Sequence, residues 1–242
     1  MNQTIQSLKN HTSIRKFNSV PITDDVIDDI IEASLRGASA GNMMLYSFID
    51  IRSKETLKKL SVWCDNQPFI ADSQFALLVV VDAYKWDKIY KLNQLDVTEA
   101  YDCPTVADLA LGVQDAMIAA QNAVIAAESL GIGTCYIGDI MENKEIISEY
   151  FNLPRHTMPV TLIVFGNFDT KPQLRDRFPK ESVVFKEKYK QLNDNEIEEM
   201  FRGRFEGDGS VTQFYKRKRA SDFYTEMVRS IKAYALAFFT KE

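Results

Sequence analysis

His11, Ser13 and Arg15 occupy alternate positions of the string His11-Thr12-Ser13-Ile14-Arg15-Lys16-Phe17. Alternate residues of an extended or loosely coiled segment face the same way. An imidazole, a hydroxyl and a guanidinium can therefore converge on one ligand. All three donate hydrogen bonds, and the planar guanidinium fork suits a phosphate. The chemistry implied is anion capture, although the segment alone also fits a solvated basic arm. Arg175-Asp176-Arg177-Phe178-Pro179 repeats the alternation with two guanidiniums, and a paired surface loop is its plainer reading. The run Lys216-Arg217-Lys218-Arg219 is the most basic stretch and reads as part of a loop, either solvated or gripping a phosphate.

Three less basic segments offer other contacts. In Ala38-Ser39-Ala40-Gly41-Asn42-Met43-Met44-Leu45-Tyr46 the small residues let a flat ligand approach the backbone. Ser39 and Asn42 there supply hydrogen bonds of both senses. In Asn66-Gln67 the Gln67 amide can pair with the edge of a pyrimidine-like ring, giving and accepting at once. In Tyr136-Ile137-Gly138-Asp139 a strand ends at a glycine, where backbone amides can face a ligand. An ordinary loop is the plain alternative for the first two. The chain has two histidines and three widely spaced cysteines, Cys64, Cys103 and Cys135, with no CxxC pair. That pattern suggests neither a metal site nor a disulfide framework. It provides no convincing Ser/His/Asp or Cys/His set, and the thiols read as structural.

These segments need a scaffold. The chain has 242 residues, 45% hydrophobic and 26% charged, with a net charge of −5. Such a composition is that of a globular protein, and its acidity argues against nucleic acid as a partner. Residues 1–10 lack the apolar core of a signal peptide, and the apolar runs are short for a bilayer. With the cysteine usage, this reads as a cytoplasmic protein with no membrane partner. Strands are expected at Ser47–Ile51, Phe75–Val81, within 131–139, and at Val160–Phe165. Phe75–Val81 is continuously apolar, as a strand covered on both faces should be. Helices are expected after Thr23, over Lys54–Val62, Ala107–Leu130, Asn143–Phe151, Asn195–Phe201 and Asp222–Phe239. The helix over Ala107–Leu130 is apolar around most of its circumference. Its polar residues, among them Asp115, Gln121 and Glu128, fall in a narrow stripe. Such a helix needs a large core or a second chain around it. The pattern fits an α+β fold with a peripheral helical tail.

Taken in order, these pieces resemble the FMN-dependent nitroreductase superfamily, in its branch of NADPH-dependent flavin and nitro-compound reductases. The resemblance runs through HTSIRKF, ASAGNMMLY, Asn66-Gln67, AAQNAVIAAESLGIGTCYIGDI, NLPRHTMPVTLIVFG and RDRFPKESVVFKEKY, over roughly positions 10 to 190. It implies a nitroreductase-like α+β fold: a central mixed, mostly antiparallel sheet flanked by helices, in an intertwined homodimer. The implied division is an FMN-binding domain over 1–190 and a C-terminal helical extension over 191–242 packing on it. By the same resemblance, His11, Ser13 and Arg15 contact the FMN phosphate and ribityl chain, and Arg175 and Arg177 complete the phosphate site. Ser39 and Asn42 come from the partner chain, Gln67 reads the flavin ring, and Tyr136, Ile137 and Gly138 lie beside the isoalloxazine. Lys216, Arg217, Lys218 and Arg219 would hold the 2′-phosphate of NADPH. The implied activity is hydride transfer from NADPH or NADH to flavins, quinones or nitroaromatics by a ping-pong cycle. The flavin carries the chemistry, and no side chain serves as nucleophile or base.

The chain departs from the pattern at several points. Thr12 stands where relatives usually carry Arg, and Met44 and Leu45 where many carry Gln and Pro. Asp139 follows Gly138 where a small residue is common. A carboxylate there either points away from the flavin or narrows the range of acceptors. Met141 stands near the place of an expected arginine, which weakens a preference for NADPH over NADH. Two competing readings are a flavin-binding carrier or sensor covered by the tail around Phe201–Phe214, and a nucleic-acid contact at the basic run.

Overall fold

All eight residues of Phe75–Asp82 are buried, because both faces of this strand are covered. The computed structural model describes residues 2–95, 102–205 and 210–240. Its strands are β1 (Tyr46–Ile51), β2 (Phe75–Asp82), β3 (Gly133–Ile137) and β4 (Thr157–Gly166). They form a four-stranded sheet in the order β1-β2-β4-β3. All three pairings are antiparallel. The mixed component implied by the resemblance is thus not found among the described residues of one chain. A bulge between Val79 and Val80 shifts the β2–β4 register where Pro159 faces Val80. Proline has no N–H for the ladder, so an irregularity is where an inner strand tolerates it.

The described helices are α1 (Gln3–Lys9), α2 (Asp24–Ser34), α3 (Lys54–Trp63), α4 (Phe69–Asp72), α5 (Tyr84–Leu92), α6 (Val106–Ser129), α7 (Lys144–Tyr150), α8 (Asp194–Phe201), α9 (Val211–Arg219) and α10 (Asp222–Phe239). Strand pleating sorts the core into two layers. Phe75, Leu77, Val79 and Val81 of β2 pack with Ala116, Ala120, Val124 and Ala127 of α6, and with Tyr234 and Phe238 of α10. Ala76, Leu78 and Val80 point the other way, onto Leu57 and Leu60 of α3 and Ile147 of α7. Phe75 and Phe165 stack across the β2–β4 pairing with ring centroids 4.3 Å apart.

Local signals explain most boundaries. Thr105 starts α6 with a capping box, its backbone N–H donating to Asp108 Oδ2 at 2.7 Å. Ser53 caps α3, its hydroxyl accepting from the Thr56 N–H. Thr23 begins α2 in an extended conformation, with Asp24 and Asp25 in the first turn complementing the helix dipole.

The chain divides into two compact units, 1–172 with 226–242, and 173–225. The division differs from a single boundary at residue 190, because most of α10 belongs to the first unit, where Tyr234 and Phe238 enter the core. The second unit has its own aromatic cluster. Phe201 meets Phe178 edge-on at 5.0 Å and stacks on Phe205 at 5.8 Å, and Phe205 meets Phe214 at 5.3 Å. Lys216–Arg219 is the last turn of α9, which corrects the expectation of a loop. Ser210 caps this helix, accepting from the Gln213 N–H at 3.2 Å, and Phe214 anchors it to the cluster.

Candidate active site

The string His11–Phe17 has no regular secondary structure and runs beside β3. Ile14 N–H donates to the Thr134 carbonyl at 2.8 Å, which fixes its position against the strand. Thr12 and Ile14 are buried, while His11 and Ser13 are partly exposed and Arg15 is exposed. The alternation expected from the sequence is therefore present. Close packing enforces it: a side-chain carbon on Gly133 would lie 2.7 Å from Ile14 Cγ1 and 2.7 Å from Phe168 Cδ1. Gly133 thus lets Ile14 seat on the strand and turns Ser13 and Arg15 to the other side.

His11 Nδ1 lies 2.6 Å from Glu128 Oε1, in the last turn of α6. Ser13 and Arg15 reach Cys135 at the centre of β3. Burial pushes the Cys135 thiol up, and the charge of Arg15 and a hydrogen bond from Ser13 oppose that shift. Tyr136 points to the α6 side, its hydroxyl donating to Gln121 Oε1 at 3.2 Å. Burial raises its phenol pKa, and the Glu128 charge adds to the effect. Gly138 opens the 3-10 turn Gly138–Met141 after β3. No heavy atom beyond its chain neighbours lies within 4 Å of where its side chain would begin, so the strand end borders open space.

Gln67 reaches this strand end from the segment between α3 and α4. Its Nε2 donates to the Cys64 carbonyl and to Asp139 Oδ2, each at 2.9 Å. Beyond Asp139 sits Glu142, 6% exposed, with Oε1 lacking a partner. Its pKa is raised to about 7, by burial first and then by the charges of Asp139, Asp65 and Glu226. The Cys64 thiol is pushed up by burial and by Asp139 and Glu142. The buried thiols Cys64 and Cys135 accordingly stay protonated and are poor nucleophiles.

Ser39 and Asn42 lie elsewhere on the first unit. Ala40 N–H and Leu45 N–H donate to the two carboxylate oxygens of the buried Asp115, at 2.8 and 3.2 Å. Ser39 Oγ accepts from Met44 N–H at 3.2 Å, and Asn42 is exposed with φ of 58°. Asp115 precedes Glu128 by thirteen residues of α6, about 20 Å at the helical rise. One chain therefore sets Ser13 and Arg15 beside Cys135 in β3 and Gln67 on Asp139 just past the strand, pairs His11 with the last turn of α6, and leaves Ser39 and Asn42 apart. Arg175 and Arg177 belong to the second unit, exposed, with Arg177 Nη1 donating to the Arg175 carbonyl at 3.0 Å. In the same unit, Arg217 lies over the Phe214 ring at 5.5 Å and Arg219 hydrogen-bonds the Tyr224 hydroxyl. Of the tail Phe201–Phe214, residues 206–209 lie outside the described residues.

Sequence reasoning placed Asp115 and Glu128 in a polar stripe and missed their separate tasks, one holding a loop and the other a histidine. The available signal was a carboxylate on an otherwise apolar helix face, which needs a partner when buried. It also missed the Gln67–Asp139 contact, which depends on the path of a turn.

An antiparallel sheet covered on both faces by apolar packing defines the chain as an α+β protein. Residues 8–167 match the Nitroreductase family, and the chain belongs to that family. It is 31% identical over 198 residues to NADPH-flavin oxidoreductase of Vibrio harveyi, covering 82% of this chain and 79% of that protein. It is 33% identical over 197 residues to FMN reductase [NAD(P)H] of Bacillus subtilis, covering 81% and 78%. The solved structure of NADPH:FMN oxidoreductase from Vibrio harveyi complexed with NAD+ is similar throughout, with a TM-score of 0.82, 27% identity, and coverage of 96% and 98%.

Proposed function

We propose that this chain is an FMN-dependent oxidoreductase that uses NAD(P)H to reduce small acceptors such as free flavins, quinones or nitroaromatics. The observation that carries the reading is the placement of Ser13 and Arg15 beside Cys135 in β3 and of Gln67 on Asp139 just past the strand, with open space at Gly138. The residues fit the cofactor. A guanidinium and a hydroxyl suit its phosphate and ribityl chain, an amide suits the edge of its ring, and open space at Gly138 admits a flat ring system. Bound FMN supplies the hydride chemistry, accepting from NAD(P)H and giving two electrons to an acceptor that takes its place. The chain itself binds and orients. Ser13 and Arg15 would hold the anionic tail, with His11 steadied by Glu128, and the backbone of 136–138 would face the ring.

We further propose a homodimer. Leu111 and Ile118 are 39% and 42% exposed on the outer face of α6, beside exposed Gln114 and Gln121. Apolar side chains at helical spacing on a central helix call for a partner surface. An isologous pair has a twofold axis. An axis crossing α6 near Gln121, midway between Asp115 and Glu128, lays Ser39–Asn42 of one copy near His11–Arg15 of the other. Two half-sites of one chain then complete two sites in a pair. The buried thiols Cys64 and Cys135 support a reducing, cytoplasmic setting.

The test is the visible spectrum of the purified protein after incubation with FMN, followed by anaerobic titration with NADPH and then NADH. Flavin absorbance that bleaches with either nicotinamide, and steady turnover with a quinone or nitroaromatic, is the expected result. A protein that stays colourless overturns the reading. One that binds FMN without turnover is the carrier or sensor instead. Light scattering on the same sample reads the mass, and a monomer with a complete FMN site overturns the shared-site arrangement.

A further inference from the structure

Gln67 has spent both hydrogens of its amide nitrogen within the protein. Nε2 donates to the Cys64 carbonyl and to Asp139 Oδ2, both at 2.9 Å. A carbonyl and a carboxylate only accept, so the orientation of the amide is forced: the NH2 faces inward and Oε1 is left for a ligand. Flipping it would set Oε1 against two acceptors and leave them without a donor, a costly arrangement for partly buried groups. The sequence suggests an amide that gives and accepts at once. The geometry removes the giving half.

We infer that Asp139 is a positioning residue that locks Gln67 as a pure hydrogen-bond acceptor, so that this site selects flavins carrying a free N–H at ring position N3. The inference rests on the FMN reading above. The flavin pyrimidine edge presents C2 and C4 carbonyls, which need donors, on either side of N3–H, which needs an acceptor. With Nε2 occupied, Gln67 can serve only N3–H. A ring methylated at N3 meets an amide oxygen with nothing to receive, and an amide nitrogen that cannot turn to the carbonyls without breaking its bonds to Asp139 and Cys64. Asp139 is held in place on the 3-10 turn Gly138–Met141, where its own carbonyl accepts from the Glu142 N–H at 3.0 Å. The carboxylate at this position, which as a sequence feature suggested repulsion of the flavin, is turned toward Gln67.

The experiment measures dissociation constants of the apoprotein for FMN and for N3-methyl-FMN by flavin fluorescence, in the wild type, Asp139→Gly and Asp139→Asn. The wild type should prefer FMN about tenfold or more, the scale of one lost hydrogen bond at a desolvated acceptor. Asp139→Gly frees one hydrogen of the amide and leaves only the Cys64 carbonyl to hold its orientation, so the preference should fall to about half that of the wild type or less. Asp139→Asn keeps an acceptor at similar reach and should retain most of the preference. Equal binding of the two flavins by the wild type overturns the inference. A preference that survives intact in Asp139→Gly overturns it too, because shape rather than amide polarity would then discriminate. Failure of the wild type to bind FMN at all falsifies the cofactor reading instead, and the two failures are thus separate.

Discussion

His11 Nδ1 and Glu128 Oε1 lie 2.6 Å apart, which ties the basic N-terminal segment to the last turn of α6. A carboxylate at a helix C-terminus is unfavourably placed in the helix dipole. The histidine ring gives it a donor and is in turn held in one orientation. Glu128→Gln keeps the size and removes the charge. FMN affinity should fall about three- to tenfold, a moderate loss because the His11 side chain is partly exposed. Fluorescence titration with far-UV circular dichroism as a folding control checks this, and an unchanged dissociation constant would remove His11 from the site.

Gly133 and Ile14 offer a steric test of the same segment. Gly133→Ala sets a methyl 2.7 Å from Ile14 Cγ1 and 2.9 Å from Ile14 Cβ. Neither the strand nor the buried isoleucine can yield without disturbing the Ile14–Thr134 hydrogen bond. Overpacking of this kind costs about 1–3 kcal/mol. The melting temperature of the apoprotein should fall, and FMN binding should weaken further than in Glu128→Gln, since Ser13 and Arg15 move with Ile14. Full affinity in a folded variant would show that the segment tolerates displacement.

Much of this was legible in the sequence, and the reasons are physical. The sheet strands announce themselves because burial on one or both faces leaves apolar runs, and Phe75–Val81 is the plainest case. Residues 222–239 form a helix with the expected bounds because its apolar spacing is helical. Helix α9 is hidden in the sequence because four successive cations have no period, and its anchors are a cap at Ser210 and one aromatic, Phe214. Helix α5 starts after Ala83, which provides no side-chain cap, so its start carries no local signal. The basic alternation of residues 11–15 was visible, as it depends only on neighbours in the chain. The Gln67–Asp139 and Asp115–Ala40 contacts join residues 72 and 75 positions apart, and no local pattern encodes such a meeting.

Glu142 links the site to pH. Its carboxyl has a pKa of about 7 in the folded protein, against an ordinary value of 4.5. The folded state therefore holds a proton that the unfolded chain has released between these values. That contribution to stability is complete below about pH 4.5 and is lost as pH rises through about 7, a change of about 3 kcal/mol. Glu142→Gln cannot ionise. In urea denaturation at fixed protein concentration the variant should be more stable than the wild type at pH 8, with a much smaller difference at pH 5. An equal difference at both pH values would mean that Glu142 ionises freely in the fold.

The basic turn of α9 makes a sharper statement about nicotinamide preference than the run of four charges does. Successive helical residues are about 100° apart, so four cations in a row cannot all face one phosphate. Lys216 and Arg219, three apart, share a face. Arg217 lies over Phe214, and Arg219 hydrogen-bonds the Tyr224 hydroxyl. If this turn grips the 2′-phosphate, Lys216→Ala with Arg219→Ala should raise KM for NADPH about tenfold, as loss of charge-assisted contacts implies. KM for NADH should change less than about twofold, because NADH lacks that phosphate. Tyr224→Phe controls for the lost hydroxyl contact and should leave both constants near the wild type. A parallel rise in both constants would place the turn's effect on the fold of the second unit rather than on the coenzyme. No change in either would leave α9 outside the coenzyme's reach.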